Sequence, residues 1–241
     1  MSIITDEATT VSSLAHAMRT TLLPQAEVSR VGPVRRSTSL FSQGQTADSL
    51  YFVDDGLIKL TRTNDGGNRI ILSICGPGEL VGEEVLAEDA PVYHGDAEAL
   101  TTANLYRIPR DTLTGVLRTN FDFAAALIDY LVHRKSALAR KVELLCLHDV
   151  EYRILHYLVE LSSLVRPVVS GEGYQLPITQ AELADLIGAT RETTSTTLNQ
   201  LERKGLVRLS RRLLTVPSPS TLRSVAVAKQ VAPQAVASSA S

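Results

Sequence analysis

Residues 177–216 read PITQAELADLIGATRETTSTTLNQLERKGLVRLSRRLLTV, and no other stretch limits the fold as tightly. Thr179 is a good N-cap, and Glu182 stands three residues on, the pattern of a capping box. Leu183, Ala184, Leu186 and Ile187 then give one apolar face of a short helix. Gly188 stops it, because glycine accepts the left-handed backbone of a tight stop. Thr190 caps a second helix, with Arg191 and Glu192 in its first turn. Leu198 and Leu201 form its buried stripe, and Gly205 ends it. Two short alternating runs follow, 206–209 and 213–216, with Ser210, Arg211 and Arg212 between them as a basic turn. Helix, tight turn, helix and basic hairpin make a winged helix-turn-helix, a DNA-reading unit.

The side chains suit that task. Arg191 has the fork that matches guanine O6 and N7, and Glu192 accepts from cytosine N4. Ser195 and Thr196 lie one turn further on and face the same groove. Thr193, Thr194 and Thr197 are expected as exposed hydroxyls for phosphate or thymine-methyl contacts. Thr179 and Thr190 at the helix starts, with Arg211 and Arg212 on the wing, complete the expected DNA contacts. A surface helix with solvated charges is the plainer alternative. The caps, the placed glycine and the basic wing together favour DNA.

The whole chain carries a net charge of −2, which looks wrong for a polyanion binder. The balance is local: residues 177–223 hold seven cations against four carboxylates, leaving +3. The two cysteines, Cys75 and Cys146, are too few for a disulfide scaffold or a four-thiolate iron–sulfur cluster. No run of about 18 apolar residues exists, so no membrane partner is expected. The start, MSIITDEATT, lacks the basic and apolar regions of a secretory signal, so a cytoplasmic location is expected. There is no nucleophile–base pair, no GxxxxGK loop and no metal-ligand spacing, so the chain is not expected to be an enzyme.

The front half is patterned differently. Residues 1–10 are polar and expected to fray; 11–23 read as a short helix that Pro24 ends. From 28 to 108, short apolar runs are cut by Gln43-Gly44, Asp54-Asp55-Gly56, Asn64-Asp65-Gly66-Gly67 and Gly76-Pro77-Gly78. Many short strands with Asp-Gly turns predict a β-roll or jelly roll, and an α+β protein overall. A short helix at 110–117 and a long one from Asn120 or Asp122 to about Leu147 follow. On the long helix Leu131, Leu138 and Leu145 recur every seven residues, flanked by Ile128 and Val142 with Lys135 between. That is a coiled-coil seam that favours a partner helix, with a helix packed only on its own roll as the plainer alternative. Asp149 caps the next helix.

These segments resemble the CRP/FNR family of transcription regulators over residues 40–216. ITQAELADLIGATRET…LNQLERKGLV is similar to that family's DNA-binding module. SLFSQGQTADSLYFVDDGLIKLTR and RIILSICGPGELVGEEVL look like its cyclic-nucleotide-binding-type domain. The resemblance implies a homodimer joined along the long helix, an inverted-repeat operator on double-stranded DNA, and RNA polymerase as a further partner. It also implies that Gly82-Glu83 offers a carboxylate to a ribose hydroxyl while an Arg-Ser pair holds the cyclic phosphate. Here that pair falls on Tyr93-His94, and no arginine lies between Arg69 and Arg107. The adenine-contacting positions fall on Leu138 and Ala139, which offer no hydroxyl. These departures argue against cyclic AMP and leave the effector unknown: a different one, or none. Gly82, Glu83, Glu84, Tyr93, His94 and Leu138 would line such a pocket. A small-molecule receptor, or a haem or redox sensor using His94, Cys75 or Cys146, with the winged unit mainly making protein contacts, is the alternative function. Glu83, Glu84, Glu88 and Asp89 near His94 lack diagnostic metal spacing, and Cys146 among leucines reads as a buried small hydrophobe.

The expected organisation is an effector-type roll at 1–119, a dimerisation helix and hinge at 120–148, a winged helix-turn-helix at 149–223, and a disordered tail at 224–241.

Overall fold

A computed structural model describes residues 3–87, 89–168, 173–210 and 214–231. They form two compact units, Met1–Val142 and Glu143–Ser241, so the division falls inside the long helix.

The first unit opens with α1 (Ile3–Ala17), continued by one wide turn at Met18–Leu22. Helix therefore reaches back into residues expected to fray. Leu14, Met18 and Leu22 are fully buried against the roll, and this docking supplies what a short isolated helix lacks. Among the described residues, eight strands make the roll: β1 (Ser29–Val34), β2 (Ser39–Phe41), β3 (Ser49–Asp55), β4 (Ile58–Thr63), β5 (Arg69–Cys75), β6 (Leu80–Val81), β7 (Asp96–Ala99) and β8 (Ala103–Pro109). They pair antiparallel in two sheets, ordered β1-β8-β3-β6 and β2-β7-β4-β5. Leu50, Phe52, Ile58, Leu80, Leu105 and Ile108 are buried in the core between them. α2 (Arg110–Thr119) returns the chain and buries Leu113 and Val116.

α3 (Phe121–Leu147) starts at Asn120, whose Oδ1 accepts from the Phe123 amide at 2.9 Å. Phe123, Leu127 and Tyr130 bury themselves in the roll's core. Ile128, Val132, Leu138 and Val142 are more than half exposed. Leu131 and Leu145 do not share that exposure. Leu131 packs on the core of its own roll, and Leu145 is half-buried. The free apolar line thus runs through Val132, beside the leucine heptad that spacing alone suggested. A seven-residue repeat identifies a stripe without saying which neighbouring line the chain covers itself.

The second unit holds α4 (Val150–Leu164), β9 (Tyr174–Leu176), α5 (Gln180–Ile187), α6 (Arg191–Arg203), β10 (Arg208–Leu209), β11 (Leu214–Val216) and α7 (Pro219–Val231). Asp149 caps α4, its Oδ1 accepting from the Tyr152 amide at 2.8 Å. The strands form one sheet in the order β10-β11-β9. α7 corrects the expectation of a disordered tail from residue 224. Leu222 and Ala226 are buried, and Lys229 Nζ lies 2.9 Å from Asp149 and 2.6 Å from Glu151 at the start of α4. Residues 232–241 of that tail lie outside the described residues.

Candidate nucleic-acid interface and effector-type pocket

The capping box of α5 is complete. Thr179 Oγ1 accepts from the Glu182 amide at 3.1 Å, and Glu182 Oε2 accepts from both the amide and the hydroxyl of Thr179 at 2.9 Å. The Thr179 hydroxyl proton is thereby committed, which leaves its side chain a helix-starting role. Gly188 has φ +62°, and a side chain there would meet Leu145 Cδ2 at 2.8 Å. A tight turn against a packed neighbour needs glycine on both counts. Arg153 Nη1 donates to the Ile187 carbonyl at 2.6 Å, closing the C-terminal end of α5.

α6 begins at Thr190, whose Oγ1 accepts from the Thr193 amide at 3.2 Å. Its inner line is Thr194, Leu198 and Leu201, all fully buried. Thr194 is therefore no DNA contact: its hydroxyl donates to the Thr190 carbonyl at 2.9 Å, facing the core. Its polarity suggested a surface role, but its place on the helical line of Leu198 and Leu201 sets it inside. Thr197 likewise returns its proton to the Thr193 carbonyl, at 2.8 Å.

The opposite line is free. Arg191, Glu192, Thr196 and Asn199 are exposed, Ser195 is half-buried, and among the described residues none has a side-chain partner. Asn199 continues the line of Ser195 and Glu192 at helical spacing; its amide matches adenine N6 and N7, and sequence reasoning passed over it. The signal was present in the i, i+3, i+4 repeat. Glu202 Oε1 accepts from the Leu209 amide at 2.7 Å, fastening α6 to the wing. Arg211 and Arg212, the expected wing contacts, lie outside the described residues.

In the roll, Gly82 has φ +91° and leads into a short helical turn, Glu83–Leu86. A side chain on Gly82 would meet the Tyr93 ring at 3.0 Å. That ring is buried and stacks on Phe41, centroids 3.7 Å apart. Its hydroxyl donates to the Ser49 carbonyl at 2.7 Å and accepts from the Ser49 amide at 3.3 Å. Burial pushes the Tyr93 phenol up to about 12. Glu83 Oε1 lies 3.3 Å from Arg134 Nε on α3. Burial raises the Glu83 carboxyl, and the Arg134 charge opposes that rise.

Glu84 and His94 meet: the His94 amide donates to Glu84 Oε1 at 3.2 Å, and the ring Nδ1 is 3.9 Å away. The ring is exposed and does not join Tyr93. Leu138 is exposed on α3. Cys75 is buried, and that burial pushes its thiol up to about 12, far from the thiolate that ligation or oxidation requires. Cys146 is exposed, against the expectation of a buried small hydrophobe. Of the acidic group near His94, Glu88 lies outside the described residues.

A β-roll of this kind ahead of a winged helix-turn-helix defines a transcription regulator that pairs an effector-type domain with a DNA reader. Residues 33–120 match the cyclic nucleotide-binding domain, and residues 152–225 match the Crp-like helix-turn-helix domain. The cyclic AMP receptor protein of Thermus thermophilus is 30% identical over 187 residues, 78% of this chain and 83% of the relative. The cAMP-activated global transcriptional regulator CRP of Salmonella typhimurium is 26% identical over 170 residues, 70% and 81% of the two chains. The crystal structure of a CRP/FNR-family transcriptional regulator from Thermus thermophilus superposes with a TM-score of 0.67 at 25% identity, covering 83% of this chain and 98% of that one. The chain belongs to the CRP/FNR family of transcription regulators. Among the described residues, no helix is long and apolar enough to cross a membrane.

Proposed function

We propose that this regulator binds DNA as a homodimer on an inverted-repeat operator and does not take cyclic AMP as its effector. The observation that carries the DNA reading is the split on α6. Thr194 and Thr197 spend their hydroxyl protons on the helix itself, while Arg191, Glu192, Ser195, Thr196 and Asn199 keep their polar ends unengaged among the described residues. Unengaged donors and acceptors on the first turns of a second helix are what a major groove requires. The dimer reading draws on the exposed line Ile128, Val132, Leu138 and Val142. Two copies would carry α6 into successive grooves about 34 Å apart. RNA polymerase is the further partner this class of regulator implies. The Thermus relative is named for cyclic AMP. In this chain Tyr93 and His94 stand at the phosphate-holding positions, and Tyr93 is closed in on Ser49.

Fluorescence anisotropy with genomic fragments tests the proposal. Specific fragments bind with a steep salt dependence, and Arg211→Ala or Arg212→Ala weakens binding to every sequence and flattens the salt slope. A protein that stays monomeric and ignores every fragment offered overturns it.

A further inference from the structure

Three helices of the second unit meet on one carboxylate. Glu151, in the first turn of α4, accepts from Lys204 Nζ with Oε1 at 2.7 Å and from Lys229 Nζ with Oε2 at 2.6 Å. Lys204 is the C-cap residue of α6, and Lys229 lies in the last turn of α7. Lys229 also reaches Asp149 Oδ2 at 2.9 Å, while Asp149 Oδ1 accepts from the Tyr152 amide at 2.8 Å. The attraction of a helix start for negative charge accounts for a carboxylate at 151. It does not account for two ammonium groups arriving there from 53 and 78 residues further on. On the same turn of α4, Arg153 fastens the end of α5 through the Ile187 carbonyl. The start of α4 thus grips the C-terminal end of each helix in the helix-turn-helix.

An isolated exposed ion pair holds little, whereas charges joined in a network with short contacts hold more. Glu151 and Lys229 keep only 23% and 29% of their side-chain surface exposed, which limits screening by salt. α6 is otherwise seated by the buried Leu198 and Leu201 and by Glu202 on the Leu209 amide. Arg191, at its other end, lies about 10 Å from Leu198 along the axis. A tilt of about 5° about that seat moves the tip by about 1 Å, more than the span over which a hydrogen bond keeps its strength. Given the proposed DNA reading, on which this rests, the geometry points to Glu151 as the positioning residue of the reading helix: held by Lys229, it fixes α6 through Lys204, so α7 sets operator affinity without touching DNA.

The test compares full-length variants by fluorescence anisotropy on two duplexes of equal length: the genomic fragment that the wild type binds most tightly, and a scrambled one. Glu151→Gln and Lys229→Gln each weaken binding to the genomic fragment about fivefold and to the scrambled duplex by less than about twofold, with the salt slope unchanged. The double variant is no weaker than either single one, because both break one network. Lys229→Arg, which keeps the charge, restores the preference. A field effect would instead move the two single variants in opposite directions on both duplexes, since one removes a negative charge and the other a positive one. A phosphate contact by Lys229 would reduce the salt slope by about one in Lys229→Gln. Either result overturns the proposal, as does an equal loss on both duplexes, the mark of protein that is merely less folded. Hydrogen exchange without DNA gives a second reading. The Lys204, Gly205 and Leu206 amides, bonded at the end of α6, exchange faster in Glu151→Gln and Lys229→Gln than in the wild type or Lys229→Arg. Unchanged exchange there overturns the proposal. A wild type that binds no fragment faults the regulator reading alone, and the exchange rates then judge the hold on α6.

Discussion

Glu83 and Glu192 are both carboxylates in the first turn of a helical segment, and their surroundings differ completely. Glu83 is sunk in the roll and held by Arg134. Glu192 stands in solvent at the tip of α6, with no side-chain partner among the described residues. The same contrast separates Tyr93, whose hydroxyl is closed on Ser49 in both directions, from Thr196, whose hydroxyl is engaged by nothing described. A polar group that its own chain satisfies contributes to holding the fold. One left exposed at a rigid helix start is available to a partner.

The contrast breaks most readily at Tyr93. Tyr93→Ala empties a fully packed position and is expected to cost about 3–5 kcal/mol in urea unfolding of the front unit, with no change in base preference. Arg191→Ala is expected to do the reverse. Operator binding weakens by about 1–3 kcal/mol and discrimination relaxes at one base pair, while unfolding is unchanged. Equal losses on operator and random DNA would contradict its role.

Thr194 and Thr196 sharpen the comparison within one helix. Thr194→Val removes the bond to the Thr190 carbonyl and is expected to cost about 1 kcal/mol of stability. Thr196→Val leaves stability alone and alters which operator variants are preferred in a competition assay. The smallest effect is with pH. Lys204, then Lys229, hold the Glu151 carboxyl below its ordinary value of 4.5. A depressed folded value means the contribution is full above 4.5 and is lost as pH falls through the lower folded one. The urea midpoint of the second unit should therefore fall further between neutral pH and pH ~3 in the wild type than in Glu151→Gln.

Much of the fold could be read from local chemistry. Thr179 with Glu182, Thr190 and Gly188 act within four residues of themselves, so their roles survive without tertiary information. What escaped depends on distant partners. Arg134 was one cation on a long helix until Ser73 and Glu79 came to it across more than fifty residues. α7 is built from small residues with no marked period, and Leu222, Ala226 and Lys229 acquire meaning only against α4. Thr194 was misjudged by composition, where spacing from Leu198 and Leu201 would have set it inside.

The match to the helix-turn-helix domain ends at residue 225, one position before Ala226 and four before Lys229. Anyone cutting the gene at that homology border would delete the ammonium that bridges Asp149 and Glu151 at the head of α4. Lys204, the C-cap residue of α6, would be left as the one described cation on Glu151. An excised reader lacking those last residues should purify as a domain weaker at neutral pH, whose stability then falls less on acidification, and its defects would be wrongly charged to the missing roll.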